Sequence, residues 1–176
     1  MRSITLLRHA LPTLLALPLS GALAAPPLPA PVRAAIDALN AECQGAGGRP
    51  GASPGLLSSV DLNGDGRSDY VIDTGAFDCE GAASLFAGTG GGSVEVFIAT
   101  AAGGATRAFE HGAAGVRVAQ GKVWLAVSGP LCGQKTGDDT PRSEMQACWR
   151  PLHWDAAHRK LDFAPPSSAQ PYSLYK

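Results

Sequence analysis

Charge is scarce and balanced in this sequence, with 14 Lys and Arg against 15 Asp and Glu among 176 residues. A nucleic-acid binder would carry a basic face, and a protein held at an anionic membrane would carry a polybasic patch. The chain has neither, which excludes both classes. Aromatic residues make up only 6%, and Trp124, Trp149 and Trp154 are expected as core or rim packing rather than as a sugar platform. The common catalytic signatures are missing too: there is no G-x-S-x-G elbow, no H-E-x-x-H and no S-x-x-K. No cysteine pair is spaced as C-x-x-C, so neither a zinc knuckle nor a thioredoxin-type site is indicated. No apolar run approaches the roughly 20 residues that a bilayer-spanning helix needs.

What the N-terminus does carry is an export pattern. Arg2 and Arg8 make a positive start, an apolar run follows from Ala10 to Leu19, and Ala22-Leu23-Ala24 supplies small residues for cleavage near Ala24. Pro12 and Pro18 break the run further. The expectation is a signal peptide over residues 1–24 and a periplasmic or extracellular product. Losing Arg2 and Arg8 leaves 12 basic against 15 acidic residues, a net charge of −3. About 150 residues remain, enough for one domain with its own core.

Export changes the meaning of Cys43, Cys79, Cys132 and Cys148. An even set in an oxidising compartment defaults to disulfides. Three pairings are possible. The preferred one joins Cys132 to Cys148 across a polar, turn-rich loop, and Cys43 to Cys79 between helix and sheet. A free catalytic thiol would need a histidine and a base that the sequence does not point to.

Residues 25–30 read as a Pro-rich lead-in. Pro31 suits a first helical turn, and Val32, Ile36, Leu39 and Cys43 then recur at one helical stripe. Glycines and prolines from Gly45 to Gly55 end the helix. Beyond them the texture is β. Strands are expected over 56–60, 70–74, 93–100, 106–111, 115–119, 122–128, 148–154 and 160–163, with Gln120-Gly121 as a two-residue connector. The segment 165–176 is rich in Pro and Ser and reads as a flexible tail. The fold class is therefore α+β: an N-terminal helix, then a mainly antiparallel sheet, within one domain over 31–164.

The most specific stretch is DLNGDGRSDYVID, residues 61–73. Oxygen donors fall on every second residue, as a chain curling round a hard cation requires. Asp61, Asn63, Asp65 and Asp69 would give side-chain oxygens, and Arg67 its backbone carbonyl. Gly64 and Gly66 permit the sharp turns. The pattern departs from an EF-hand at its twelfth position, where a bidentate Glu is replaced by Ile72, and the loop runs into a strand instead of a helix. The D-x-N-x-D-G-x-x-D spacing resembles the calcium loops of FG-GAP and VCBS repeats. That resemblance implies calcium ligation at Asp61, Asn63, Asp65, Arg67 and Asp69. It covers some 13 residues, and a chain with one loop does not carry the propeller those repeats build. The wider plan of leader, Cys-bearing helix, acidic loop, DCEGAASLF segment and PLCGQ motif is similar to small uncharacterised exported proteins of Gram-negative bacteria. It implies a location and no activity.

Three other features are weaker. Gly88-Thr89-Gly90-Gly91-Gly92 lacks the Lys-Ser/Thr ending of a phosphate loop and precedes a strand, so a hairpin turn is expected. His153, Asp155 and His158 could form a small polar site, or only a turn bearing surface histidines. The acids Asp73, Asp78 and Glu80 would complete a metal shell or face solvent. The functional expectation is a monomeric, non-enzymatic exported module with one weak structural Ca2+ loop and an unknown protein or ligand partner. The alternatives are an inhibitor inserting loop 133–147 into a target enzyme, and a small hydrolase using acids of 61–80.

Overall fold

The computed structural model describes residues 27–172. The expected leader and its cleavage near Ala24 lie outside the described residues. Helix α1 spans Ala30–Gly45, with Pro29 at its N-cap and Pro31 in its first turn. Its stripe is the expected one. Val32 and Cys43 are fully buried, and Ile36 and Leu39 pack partly buried against the same cluster.

Twelve strands follow among the described residues: β1 (Arg49–Pro50), β2 (Leu57–Val60), β3 (Asp69–Asp73), β4 (Cys79–Glu80), β5 (Ala87–Gly88), β6 (Gly91–Ala99), β7 (Ala105–Ala113), β8 (Val116–Ala119), β9 (Lys122–Ser128), β10 (Ala147–Asp155), β11 (Lys160–Phe163) and β12 (Gln170–Pro171). Every pairing among them is antiparallel. The first sheet joins β2, β3, β6 and β5 in that order, with β7 also on β6. The second runs β11, β10, β9, β8, with β12 also on β10. The α+β expectation holds: the described residues form one helix and two five-stranded antiparallel sheets, with β1 and β4 making a further two-stranded pair.

Alternation along the strands builds three layers. Val71, Val94, Val96 and Ile98 of the first sheet meet Val123, Leu125, Val127, Cys148, Leu152 and Leu161 of the second in one core. The intervening Ile72 and Phe97 point to the opposite face, where they join Val32 and Cys43 of α1. Gln120 and Gly121, both at positive φ, close the tight β8–β9 hairpin.

The two disulfides are the preferred pair. Cys43–Cys79 ties α1 to β4, and Cys132–Cys148 ties a 3₁₀ turn, Gly129–Cys132, to β10, each with Cα atoms 5.8 Å apart. In the chain-entropy picture they contribute about 4 and about 3 kcal/mol. Gly48 is required beside the first, since a Cβ there would lie 2.5 Å from the Cys79 Sγ.

The chain beyond Pro165, expected as a flexible tail, is held as far as Tyr172. Gln170 and Pro171 pair with Trp149 and Cys148, and the Tyr172 ring lies against Trp149 at 5.4 Å. The Pro-rich composition suggested fraying, but β10 offered these residues a strand edge on which to pair.

Candidate functional site

Strand β6 runs from a Gly-rich turn at Gly91 to the acidic loop at Ala99, and the two candidate regions sit at its two ends. At the Ala99 end, the chain from Asp61 to Asp69 leaves β2 and enters β3. Leu62 tucks against the core between the sheets. Gly64 and Gly66 adopt φ of 76° and 81°, the left-handed conformation for which the sequence had reserved glycine.

The loop curls round the Asp61 carboxylate. Its Oδ1 accepts the N–H of Gly64 at 2.8 Å and of Asp65 at 3.2 Å, and its Oδ2 accepts that of Gly66 at 2.9 Å. Asn63 Oδ1 accepts the Asp65 N–H at 3.0 Å, while its amide nitrogen donates to Asp65 Oδ2 at 2.9 Å. Asp65 Oδ1 accepts the Arg67 N–H at 2.9 Å, and its other oxygen pairs with the Arg67 guanidinium. That backbone N–H is the main reason the Asp65 carboxyl is held below the usual carboxylate range, with Asn63 and the Arg67 charge adding to it.

Asp69 behaves differently. It is fully buried, and its Oδ2 and Oδ1 accept the N–H groups of Leu62 and Ala99, each at 2.8 Å. It therefore stitches the start of the loop to the end of β6. Burial pushes its carboxyl up, the two N–H groups oppose this, and the charges of Asp65 and Asp61 push it up further. Ile72, at the place of an EF-hand glutamate, is a fully buried core residue.

Among the described residues no three His, Cys, Asp or Glu side chains gather as a ready-made metal centre. The donor set still suits a hard cation: carboxylate, amide and carbonyl oxygens on one short curl. The structure brings Asp61, Asn63 and Asp65 into one hydrogen-bonded ring and turns Asp69 inward to backbone amides. Of the remaining acids, Asp78 is exposed and the other two are engaged elsewhere. Asp73 accepts the Gly75 N–H at 2.9 Å, and Glu80 pairs with Arg49.

At the Gly91 end a cleft of about 620 Å³ opens beside the core between the sheets. Its walls are the ends of β7 and β9, the Thr89-Gly90 hairpin turn, the 133–147 loop and Tyr172. The turn forms the expected hairpin, but its glycines serve close packing. A Cβ on Gly91 would lie 1.8 Å from the Ala113 carbonyl oxygen.

The PLCGQ motif accounts for the loop. Leu131 lines the cleft, and its carbonyl accepts from the buried Arg150 at 2.6 Å. Cys132 makes the disulfide, and Gly133, at φ 82°, ends the 3₁₀ turn. Gln134 then crosses the loop, donating to the Glu144 carbonyl at 3.0 Å and accepting the Gln146 N–H at 2.8 Å.

Sequence reasoning did not find the cleft, the Gln134 bridge or the inward Arg150. For Arg150 a signal was present: it shares the face of Cys148 and Leu152 at strand period. Its guanidinium also donates to the Ala164 carbonyl at 2.7 Å and stands over the Phe163 ring. Of the His153, Asp155 and His158 group, Asp155 and His158 close the β10–β11 turn, while His153 stands in β10 opposite Asp162. His158 Nδ1 lies 2.7 Å from Asp155 Oδ2, and Asp155 also accepts the Ala157 and His158 N–H groups. Trp124 is buried and Trp149 half-buried, with the Arg117 guanidinium 5.1 Å from each ring. Comparison with protein-family models, curated proteins and solved structures finds no match to this chain.

Proposed function

We propose that the protein is a monomeric, non-enzymatic module of the periplasm or extracellular space, exported by cleavage near Ala24, whose 61–69 loop takes one calcium ion as a structural clip. The observation that carries this reading is the closed curl of the loop on Asp61, with three backbone N–H groups on one carboxylate. The curl keeps Asn63, Asp65 and the Arg67 carbonyl on one short turn, with Arg67 as the basic side chain paired there. Asp61, Asn63, Asp65 and the Arg67 carbonyl would hold the ion, and Asp69 would support it from beneath. Calcium competes with the Arg67 guanidinium for Asp65, and the chain has no bidentate glutamate. Affinity is therefore set near 10⁻⁴ to about 10⁻³ M, the range of extracellular modules. Two disulfides agree with an oxidising compartment.

The hydrolase alternative draws less support, because every acid of 61–80 except the exposed Asp78 has a structural partner. The inhibitor reading has one specific observation in its favour: loop 133–147 is largely exposed, bounded by a disulfide and braced by Gln134. It predicts that a 133–147 deletion abolishes inhibition of a responsive secreted hydrolase. The calcium reading is tested by melting the chelator-treated protein with and without millimolar Ca2+. A rise in melting temperature that Asp65→Ala removes is expected, and no rise in the parent protein contradicts the reading.

A further inference from the structure

The cleft at the Gly91 end combines an apolar interior with an arginine at its rim, Arg142, and the imidazole of His111, whose Nδ1 lies 2.6 Å from the Gly112 carbonyl oxygen. Ala113, Ala126, Val127 and Leu131 line the interior, and Met145 closes one side. Alanine where a larger side chain would fill the space is what leaves the hollow. Arg142 lies at the mouth, exposed, with its Nη1 beside the Gly90 turn, 3.4 Å from where a Cβ of Gly90 would stand. No carboxylate lines the cleft. Among the described residues no salt bridge engages Arg142.

We propose that this cleft binds a small monoanion with an apolar body, such as a medium-chain carboxylate, with its head group at Arg142 and its chain directed inward. This goes beyond the calcium reading and does not depend on it. The volume falls within the roughly 300–1,000 Å³ of small-molecule sites, which are mostly apolar with a few placed polar groups. Charge fixes the class. A cationic head would meet Arg142 with no acid to offset it, and a neutral chain would leave the guanidinium unused. A planar guanidinium matches a carboxylate with two parallel hydrogen bonds. The walls are also fixed in advance, which lowers the ordering cost of binding. Cys132–Cys148 closes the 133–147 loop, Gln134 crosses it, and Gly91 packs its turn tightly on Ala113.

The test is an amide NMR titration of the full chain with octanoate and octylammonium, each to about 10 mM, which captures millimolar binding, and with octan-1-ol to its solubility limit, shifts being compared at equal concentration. Octanoate is expected to shift Gly112, Ala114, Ser128 and Met145, and octylammonium to leave them unmoved. Arg142→Gln weakens octanoate by about fivefold, the worth of an exposed charge pair, and Arg142→Lys, which keeps the charge but loses the two-pronged bond, weakens it by less than that. Arg142 is exposed, so its replacement leaves the fold intact, and the unshifted amides report that directly. The proposal is overturned if octanoate moves no cleft amide, if octan-1-ol or octylammonium binds as well, or if Arg142→Gln changes nothing.

Discussion

The two ends of β6, about 26 Å apart at the usual strand rise, are held by different chemistry. At Ala99 the chain is organised by carboxylates that accept backbone N–H groups: Asp61 takes three and Asp69 takes two. At Gly91 it is organised by a covalent staple, by Gln134 and by glycines packed against backbone. The first arrangement is charged, and on the proposed reading it would answer to a cation. The second has no acid on its walls and answers to redox state and packing. One end is suited to a clip, and the other to holding a ligand.

The largest predicted effect separates the ends through the staple. Replacing Cys132 and Cys148 together by Ala costs about 3 kcal/mol. It should expose the 133–147 loop to proteolysis while leaving the calcium response in place. Chemical denaturation and limited proteolysis read the two parts. Next comes Asp69→Asn, which turns an amide donor toward the Leu62 or Ala99 N–H and leaves a buried donor unpaired. It should cost about 2 kcal/mol in urea unfolding and abolish the calcium response, with octanoate shifts at the cleft unchanged. Addition of 10 mM Ca2+ should stabilise the parent chain by about 1.4 kcal/mol, from mass action at a millimolar dissociation constant.

A pH comparison gives a smaller effect with a definite sign. Asp69's folded pKa is raised, so the fold binds this proton more readily than the unfolded chain does. Its contribution is present below the unfolded value, near 4, and is lost as pH rises through the raised folded value. Without calcium, the parent protein should therefore lose more stability than Asp69→Asn as pH rises through that window, and calcium should reduce the difference. The smallest effect is at Arg67. Freeing Asp65 by Arg67→Gln should strengthen calcium binding by about twofold, as expected for an exposed pair, read by calorimetry.

The same contrast separates what was legible in the sequence from what was not. Local signals were readable where one residue type meets one local demand. Gly64 and Gly66 sit at positive φ, Gln120-Gly121 closes its hairpin, and the Val32–Cys43 stripe faces the core. The cysteine pairing preferred on compartment and loop size is the one the fold makes. Long-range relations were not readable. Nothing in the spacing of Asp69 shows that its second oxygen is taken by Ala99, thirty residues on. Nothing local marks Gln134 as a cross-brace, or brings Thr89 and Arg142 to one cleft. Those depend on sheet register, which one chain's pattern does not specify between distant strands. Asp69 illustrates the consequence: the spacing marked it as a ligand, and the fold gives it first to two amides.

The most direct test of the account is an amide NMR titration with Ca2+ on the chelator-treated chain at neutral pH. The account predicts shifts confined to the loop and its anchor, at Leu62, Gly64, Gly66, Arg67 and Ala99, with Gly112, Ala114 and Ser128 unmoved. Saturation without movement of the Gly64 and Gly66 amides, or no response up to about 10 mM, tenfold above the weakest expected constant, would contradict it.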